Sequence, residues 1–261
     1  MNDAVKNLLD LVIENEDVID GKVNILGQNQ AGDGYLGTIN NAEIVGKNKR
    51  LNLIVKTAPV NEKLREQAPI REVFTTEINF YTKIYPALRE FQAEHGGGEP
   101  FVELARCYAT SKRVFGEGLV LQNLKVAGYR VWPRQKHLTP DHVKIVLREY
   151  GKLHAMSYAL KLKADEKYRE LTSDMQDCFY CFMKDPGFNE LYANLFDDIK
   201  NIPVINQNRN MSKTLEDCFN GNFDFFRKLA HETDRYSVII HGDGWTNNML
   251  FKYDVSSTIF S

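Results

Sequence analysis

The feature that most constrains this chain is a change of hydrophobic period along it. Short apolar runs of strand length, Val23 to Leu26, Tyr35 to Val45, Leu51 to Lys56, Phe101 to Ala109 and Gly118 to Gln122, are confined to the first half. Gly, Asn and Lys clusters separate the first three, the punctuation of antiparallel strands. From Thr139 onward the spacing is helical, with Val143, Val146, Leu147, Tyr150, Leu153, Met156 and Ser157 following a Thr139-Pro140-Asp141 cap. Strands followed by helices make an α+β fold.

Helices are also expected among the strands. Val5, Leu8, Leu9, Val12 and Ile13 predict one over residues 3–20, and Phe74, Ile78, Tyr81, Ile84, Tyr85, Leu88 and Phe91 predict a long one closed by His95-Gly96-Gly97-Gly98. A polar linker, Pro59 to Pro69, precedes the long helix, and three more helices are expected over 164–184, 187–200 and 211–232. A chain of 261 residues with 43% hydrophobic content can bury one large domain or two lobes. The segment Gln122-Asn123-Leu124-Lys125 after the last strand connects the lobes and places a boundary near residue 124, dividing 1–124 from 125–261.

Composition removes several classes. Lys plus Arg is 33 and Asp plus Glu is 35, a net charge of -2, so no global field favours nucleic acid or an anionic membrane, and neither is expected as a partner. No basic segment leading into an apolar core opens the chain, and no apolar run reaches membrane-spanning length, which predicts a soluble, cytoplasmic protein. Cys107, Cys178, Cys181 and Cys218 are too scattered for a disulfide framework, and the lone Cys178-Phe179-Tyr180-Cys181 motif has no second pair for zinc.

The chemistry concentrates in a polar loop between two apolar runs, Val238-Ile239-Ile240 and Met249-Leu250-Phe251, expected to form strand, loop and strand. The loop reads His241-Gly242-Asp243-Gly244-Trp245-Thr246-Asn247-Asn248. Asp243 and Asn248 are five positions apart, so one can take a proton from a hydroxyl while the other offers an amide oxygen to a magnesium ion.

Upstream signals are individually modest. Gly32-Asp33-Gly34-Tyr35-Leu36-Gly37 can bring backbone amides close to phosphate oxygens, or can be a plain hairpin turn; no Gly-Lys-Ser/Thr follows, so it is not a Walker loop. Lys56 ends the third strand, as a solvated terminus or as a fixed ammonium for nucleotide phosphates. Glu77 lies beside the apolar stripe of the long helix, as a surface carboxylate or as the partner that aims Lys56. His154 reads as a packed histidine, with no Ser or Cys nucleophile motif beside it.

Taken together, in this order, these elements resemble the choline-kinase-like and ecdysteroid-kinase-like proteins of the aminoglycoside-phosphotransferase superfamily. The resemblance rests on Ile240 to Asn248 with Phe251-Lys252-Tyr253-Asp254, on Leu119-Val120-Leu121-Gln122-Asn123-Leu124 with Gly128-Tyr129-Arg130, and on Leu153-His154-Ala155. It implies a two-lobed protein-kinase-like fold, with a five-stranded N-terminal sheet, that uses ATP and Mg2+ to phosphorylate a hydroxyl of a small molecule. Under it Asp243 is the catalytic base, Asn248 a metal ligand, Lys56 the phosphate-binding lysine and Glu77 its partner. Gly32, Asp33, Gly34 and Tyr35 fall in the nucleotide loop, while Gln122 and Leu124 fall in the connector beside adenine.

Departures are visible. Gly242 stands where protein kinases carry Arg, and no Ala-Pro-Glu segment follows, which points to small-molecule acceptors. Gln122 replaces the family's usual acidic residue. The Asp-Phe segment that carries a second metal ligand does not occur between Lys252 and Ser261, and Asp254 falls in a hairpin turn. The resemblance therefore implies a truncated C-terminal lobe, impaired in turnover, with a non-catalytic nucleotide-binding pseudokinase as the alternative.

Overall fold

The computed structural model describes residues 2–28, 36–96, 101–133, 135–175, 177–183, 186–253 and 259–260. Helix α1 (Asp3–Asn15) opens the chain, capped by the Asn2 side chain, which accepts from the Ala4 amide at 3.0 Å. It stops short of residue 20 because Asp17 takes a φ of 48° and the Val18 amide turns back to the Ile13 carbonyl.

Five strands follow, β1 (Lys22–Gln28), β2 (Thr38–Val45), β3 (Arg50–Thr57), β4 (Cys107–Ser111) and β5 (Gly118–Gln122), all antiparallel in the order β1-β2-β3-β5-β4. Alternation across the pleat decides which side chain faces which layer. Ala42, Ile44, Leu53, Val55, Ala109 and Val120 pack under Val5, Leu8, Leu9 and Val12 of α1. The opposite face carries Leu119 and Leu121 against Ile70 and Phe74. Lys56, one position beyond Val55, therefore turns to this second face.

The helix beyond β3 is not the single one predicted. Short helix α2 (Glu62–Gln67) occupies the expected linker, and α3 (Ile70–Asn79) passes through a π-helical turn, Phe80–Ile84, into α4 (Tyr85–His95). The fourth strand is also shorter than expected. Its predicted first half is tied to α4 instead of to a ladder: the Phe101 carbonyl accepts from the Tyr85 hydroxyl at 3.0 Å and from Arg89 at 2.7 Å, and the Phe101 amide donates to Gln92 at 3.1 Å.

The helical remainder begins with α5 (Pro140–Lys163), capped by Thr139. Leu153, Met156 and Leu160 of α5 join Phe80, Ile84, Leu88, Phe91, Phe101 and Ile239 in a second buried cluster. Helices α6 (Asp165–Thr172), α7 (Cys178–Met183), α8 (Pro186–Lys200), α9 (Pro203–Asn206) and α10 (Arg209–His231) complete this part. The expected helix over 164–184 is broken because Asp177 starts a new one, its carboxylate accepting from the Tyr180 amide at 2.8 Å. Among the described residues no helix is long and apolar enough to cross a membrane, and Cys107, Cys181 and Cys218 are free thiols. The Cys178 side chain lies outside the described residues.

A small second sheet, β6 (Arg130–Val131), β7 (Leu250–Tyr253) and β8 (Ile259–Phe260), lies beside the polar loop. The apolar run that enters the loop is not a ladder strand as predicted. Its Ile239 amide, buried, donates instead to the Ser157 hydroxyl of α5 at 2.8 Å. Ser157→Ala strands that amide without its acceptor and is expected to cost about 1–3 kcal/mol, read by urea unfolding.

Candidate active site

Two polar pairs, far apart in sequence, carry the chemistry the sequence singles out. The first is Lys56 with Glu77, Nζ to Oε1 at 2.7 Å, the side chains 23% and 31% exposed. Neither is a surface ion pair, yet both remain open to a ligand. Strand β3 presents Lys56 and α3 presents Glu77, because both elements line the same face of the sheet. The carboxylate sits in apolar company. Burial, with the Glu77 charge adding to it, pushes the Cys107 thiol up to about 11 and lifts the Tyr81 phenol above its ordinary range.

The second pair is Asp243 with Asn248. The Asn248 Nδ2 donates to Asp243 Oδ2 at 2.6 Å and to the Asp243 carbonyl at 3.1 Å, which closes the loop on itself. A 3-10 turn, Thr246–Asn248, brings the two residues round. Gly242 makes the fold-back possible: its φ of +81° lies in the region L side chains rarely adopt, and the Asp243 amide then reaches His241 Nδ1 at 3.2 Å. With Nδ2 on the carboxylate, the Asn248 amide oxygen is the end able to accept a further bond.

Burial chiefly, with the Lys56 charge, lowers the His241 pKa, while Asp243 and Glu77 act in the opposite sense. Its Nδ1 accepts from the Asp243 amide. Its ring packs 6.0 Å from Phe80 of the π-helical turn and 6.5 Å from Tyr150 of α5.

Downstream, the exit strand is locked by a buried histidine. His142 Nδ1 lies 2.6 Å from the Thr139 hydroxyl and Nε2 lies 2.8 Å from the Tyr253 hydroxyl, with Trp132 and Phe251 against the ring at 4.2 and 4.6 Å. Burial lowers the His142 pKa, so it serves as a neutral bridge between α5 and β7.

The remaining predicted residues divide as follows. Gln122 ends β5 with its amide donating to the Arg106 carbonyl at 2.8 Å, and the Leu124 carbonyl accepts from the Tyr129 amide at 3.2 Å. Between them Asn123 caps the turn by accepting from the Lys125 amide at 3.0 Å. Gly32, Asp33, Gly34, Tyr35 and Asp254 lie outside the described residues. Phe80 and Tyr150 were missed as site residues. Tyr150 belongs to the apolar stripe of its helix and Phe80 lies outside the stripe of the long helix, and only the fold shows that both flank His241.

Among the described residues no group of three or more His, Cys, Asp or Glu could hold a metal ion. Asp243 and Asn248 are the oxygen donors at hand. Such a sparse set suits Mg2+, which keeps waters and takes phosphate oxygens alongside one or two protein ligands.

An antiparallel five-stranded sheet with a Lys–Glu pair, set against helices that present an Asp–Asn loop, defines a kinase-like fold. Residues 31–260 match the ecdysteroid kinase-like family, and the chain belongs to that family. No curated protein and no solved structure matches it.

Proposed function

We propose that the protein is an ATP- and Mg2+-dependent phosphotransferase that moves the γ-phosphoryl group to a hydroxyl of a small molecule, an ecdysteroid, a choline-like alcohol or a xenobiotic alcohol. Residues 1–124 form the nucleotide-binding lobe and 125–261 the helical lobe with the catalytic loop, working in the cytoplasm without nucleic acid or membrane. The observation that carries the reading is the Lys56–Glu77 pair at 2.7 Å, in a chain whose residues 31–260 match the ecdysteroid kinase-like family.

Phosphoryl transfer asks a protein chiefly for alignment and charge neutralisation. Asp243 orients the acceptor hydroxyl and takes its proton as the oxygen bonds to γ-phosphorus and the bond to the β-phosphate oxygen breaks, releasing ADP. Lys56, held by Glu77, neutralises phosphate oxygens. The roles left for Gly32, Asp33, Gly34 and Tyr35 and for the Gln122–Leu124 connector are phosphate and adenine recognition. Magnesium, when bound, supplies further neutralisation of phosphate charge, with Asn248 as its ligand from the loop. Neutral His241 keeps a second cation from competing for Asp243.

A charged hydrogen bond contributes about 1.5–3 kcal/mol, so Lys56→Met is expected to weaken ATP binding by roughly 10- to 150-fold in calorimetric titration. Unchanged affinity would remove Lys56 from the site. A second reading is a nucleotide-binding protein without turnover. ATP binding with no phosphorylated acceptor would select it.

A further inference from the structure

We infer that Tyr150, on α5, is a positioning residue that fixes the pose of the catalytic loop by seating its hydroxyl against Gly244; the inference rests on the phosphotransfer reading of that loop. The two glycines of the loop are needed for different reasons. Gly242 has its left-handed φ and open space around it, with nothing within 4 Å of an added Cβ. Gly244 shows no such φ, so conformation alone would admit another residue there. A Cβ at 244, however, would stand 2.5 Å from the Tyr150 hydroxyl oxygen, 3.3 Å from Cζ and 3.5 Å from Cε2.

Rings flank Tyr150 on both sides: it lies nearly parallel to His154 with centroids 6.2 Å apart and an interplanar angle of 15°, and 6.5 Å from His241 on the loop. The ring thus neighbours the loop at its first residue and the hydroxyl bears on its fourth, with Gly242 and Asp243 between. Burial, with the Asp243 charge adding to it, raises the Tyr150 pKa, so the group bearing on Gly244 is a protonated phenol close to the base. Displacing the loop here displaces Asp243 with it.

The test compares Gly244→Ala, Tyr150→Phe and the double variant, using ATP, Mg2+ and an ecdysteroid as acceptor. A misplacement of about 1 Å can cost on the order of 10²-fold in rate, and Gly244→Ala is expected to lower kcat by that amount with the KM for ATP little changed. Tyr150→Phe removes the closest atom and keeps the ring, for a loss of a few-fold. In the double variant the nearest contact becomes the 3.3 Å one, which a few tenths of an ångström relieves. Activity should then return to within about tenfold of wild type, the reciprocity expected of directly coupled residues. Wild-type rates in Gly244→Ala, or a folded double variant no better than Gly244→Ala, would overturn the inference. Should the wild-type chain phosphorylate no acceptor, the phosphotransfer reading fails by itself, and the His241 ring-proton resonances decide the positioning role. They should shift in Gly244→Ala and return in the double variant; resonances that stay in place in Gly244→Ala would overturn it.

Discussion

Replacing Asp243 with Ala should reduce phosphoryl transfer by about 10²–10⁴-fold, the range over which a positioned general base acts, while ATP affinity changes little. The separation follows from the proposed roles: Asp243, in a loop closed by Asn248, is assigned to the acceptor hydroxyl, whereas Lys56 on β3, paired with Glu77, is assigned to the nucleotide phosphates. The substitution also frees Asn248 Nδ2 from its carboxylate partner, so metal dependence should shift towards higher Mg2+ concentrations. Parallel titrations with ATP and initial-rate assays test both parts. Loss of nucleotide binding in a variant that keeps its fold would show that Asp243 serves the nucleotide and not the acceptor.

The largest effect on stability is expected at Glu117. This carboxylate is fully buried at the start of β5 and is met by Arg65 of α2 in a two-pronged contact of 3.1 and 2.5 Å. Arg65 also donates to the Pro59 carbonyl at 2.7 Å and lies 4.7 Å over the Phe115 ring, while the Glu117 carbonyl accepts from the Ala58 amide at 2.8 Å. The cluster thus clamps the end of β3 two residues beyond Lys56. Glu117→Ala leaves a guanidinium that is 13% exposed without its partner, and is expected to cost about 3–5 kcal/mol in urea unfolding. Replacing both members with Met should recover much of that loss, since the desolvation of both charges is then avoided.

The same pair sets a pH dependence. Burial alone would raise the Glu117 carboxyl, but Arg65, with a smaller effect from Arg71, outweighs it and holds the group below its usual range. A carboxyl held low in the folded chain stabilises it fully above the unfolded value, and that contribution disappears as pH falls through the folded value. The stability difference between wild type and Glu117→Ala should therefore narrow in acid. A difference that widened with falling pH would mean that the pair is not ionised.

How much of this was legible beforehand differs residue by residue. The Lys56–Glu77 pair could be read because strand and helix each announce themselves by period, and alternation alone decides that Lys56 leaves the α1 side of β3. Asp243 and Asn248 were legible from spacing within one loop. By contrast, Arg65 and Glu117 are 52 positions apart and pair only because α2 forms inside a stretch that reads as linker. Phe101 to Arg106 is apolar enough to suggest a strand, yet the Phe101 amide and carbonyl are taken by Tyr85, Arg89 and Gln92 side chains of α4, which no local pattern encodes. The run before His241 failed likewise: a single hydroxyl, Ser157, replaces the strand partner. The π-helical turn has no signature in the spacing of Phe80, Ile84 and Leu88, although it carries the ring that meets His241.

The central claim is that Lys56, Glu77, Asp243 and Asn248 form one site for moving a phosphoryl group onto a hydroxyl. Mass analysis of an ecdysteroid, choline and a xenobiotic alcohol after incubation with the chain, ATP and Mg2+ tests it most directly. The expected result is a phosphomonoester of at least one of them, formed by wild type and not by Asp243→Ala. ATP bound with Lys56-dependent affinity, and no phosphomonoester of any of the three, would contradict it and leave a nucleotide-binding protein without transfer.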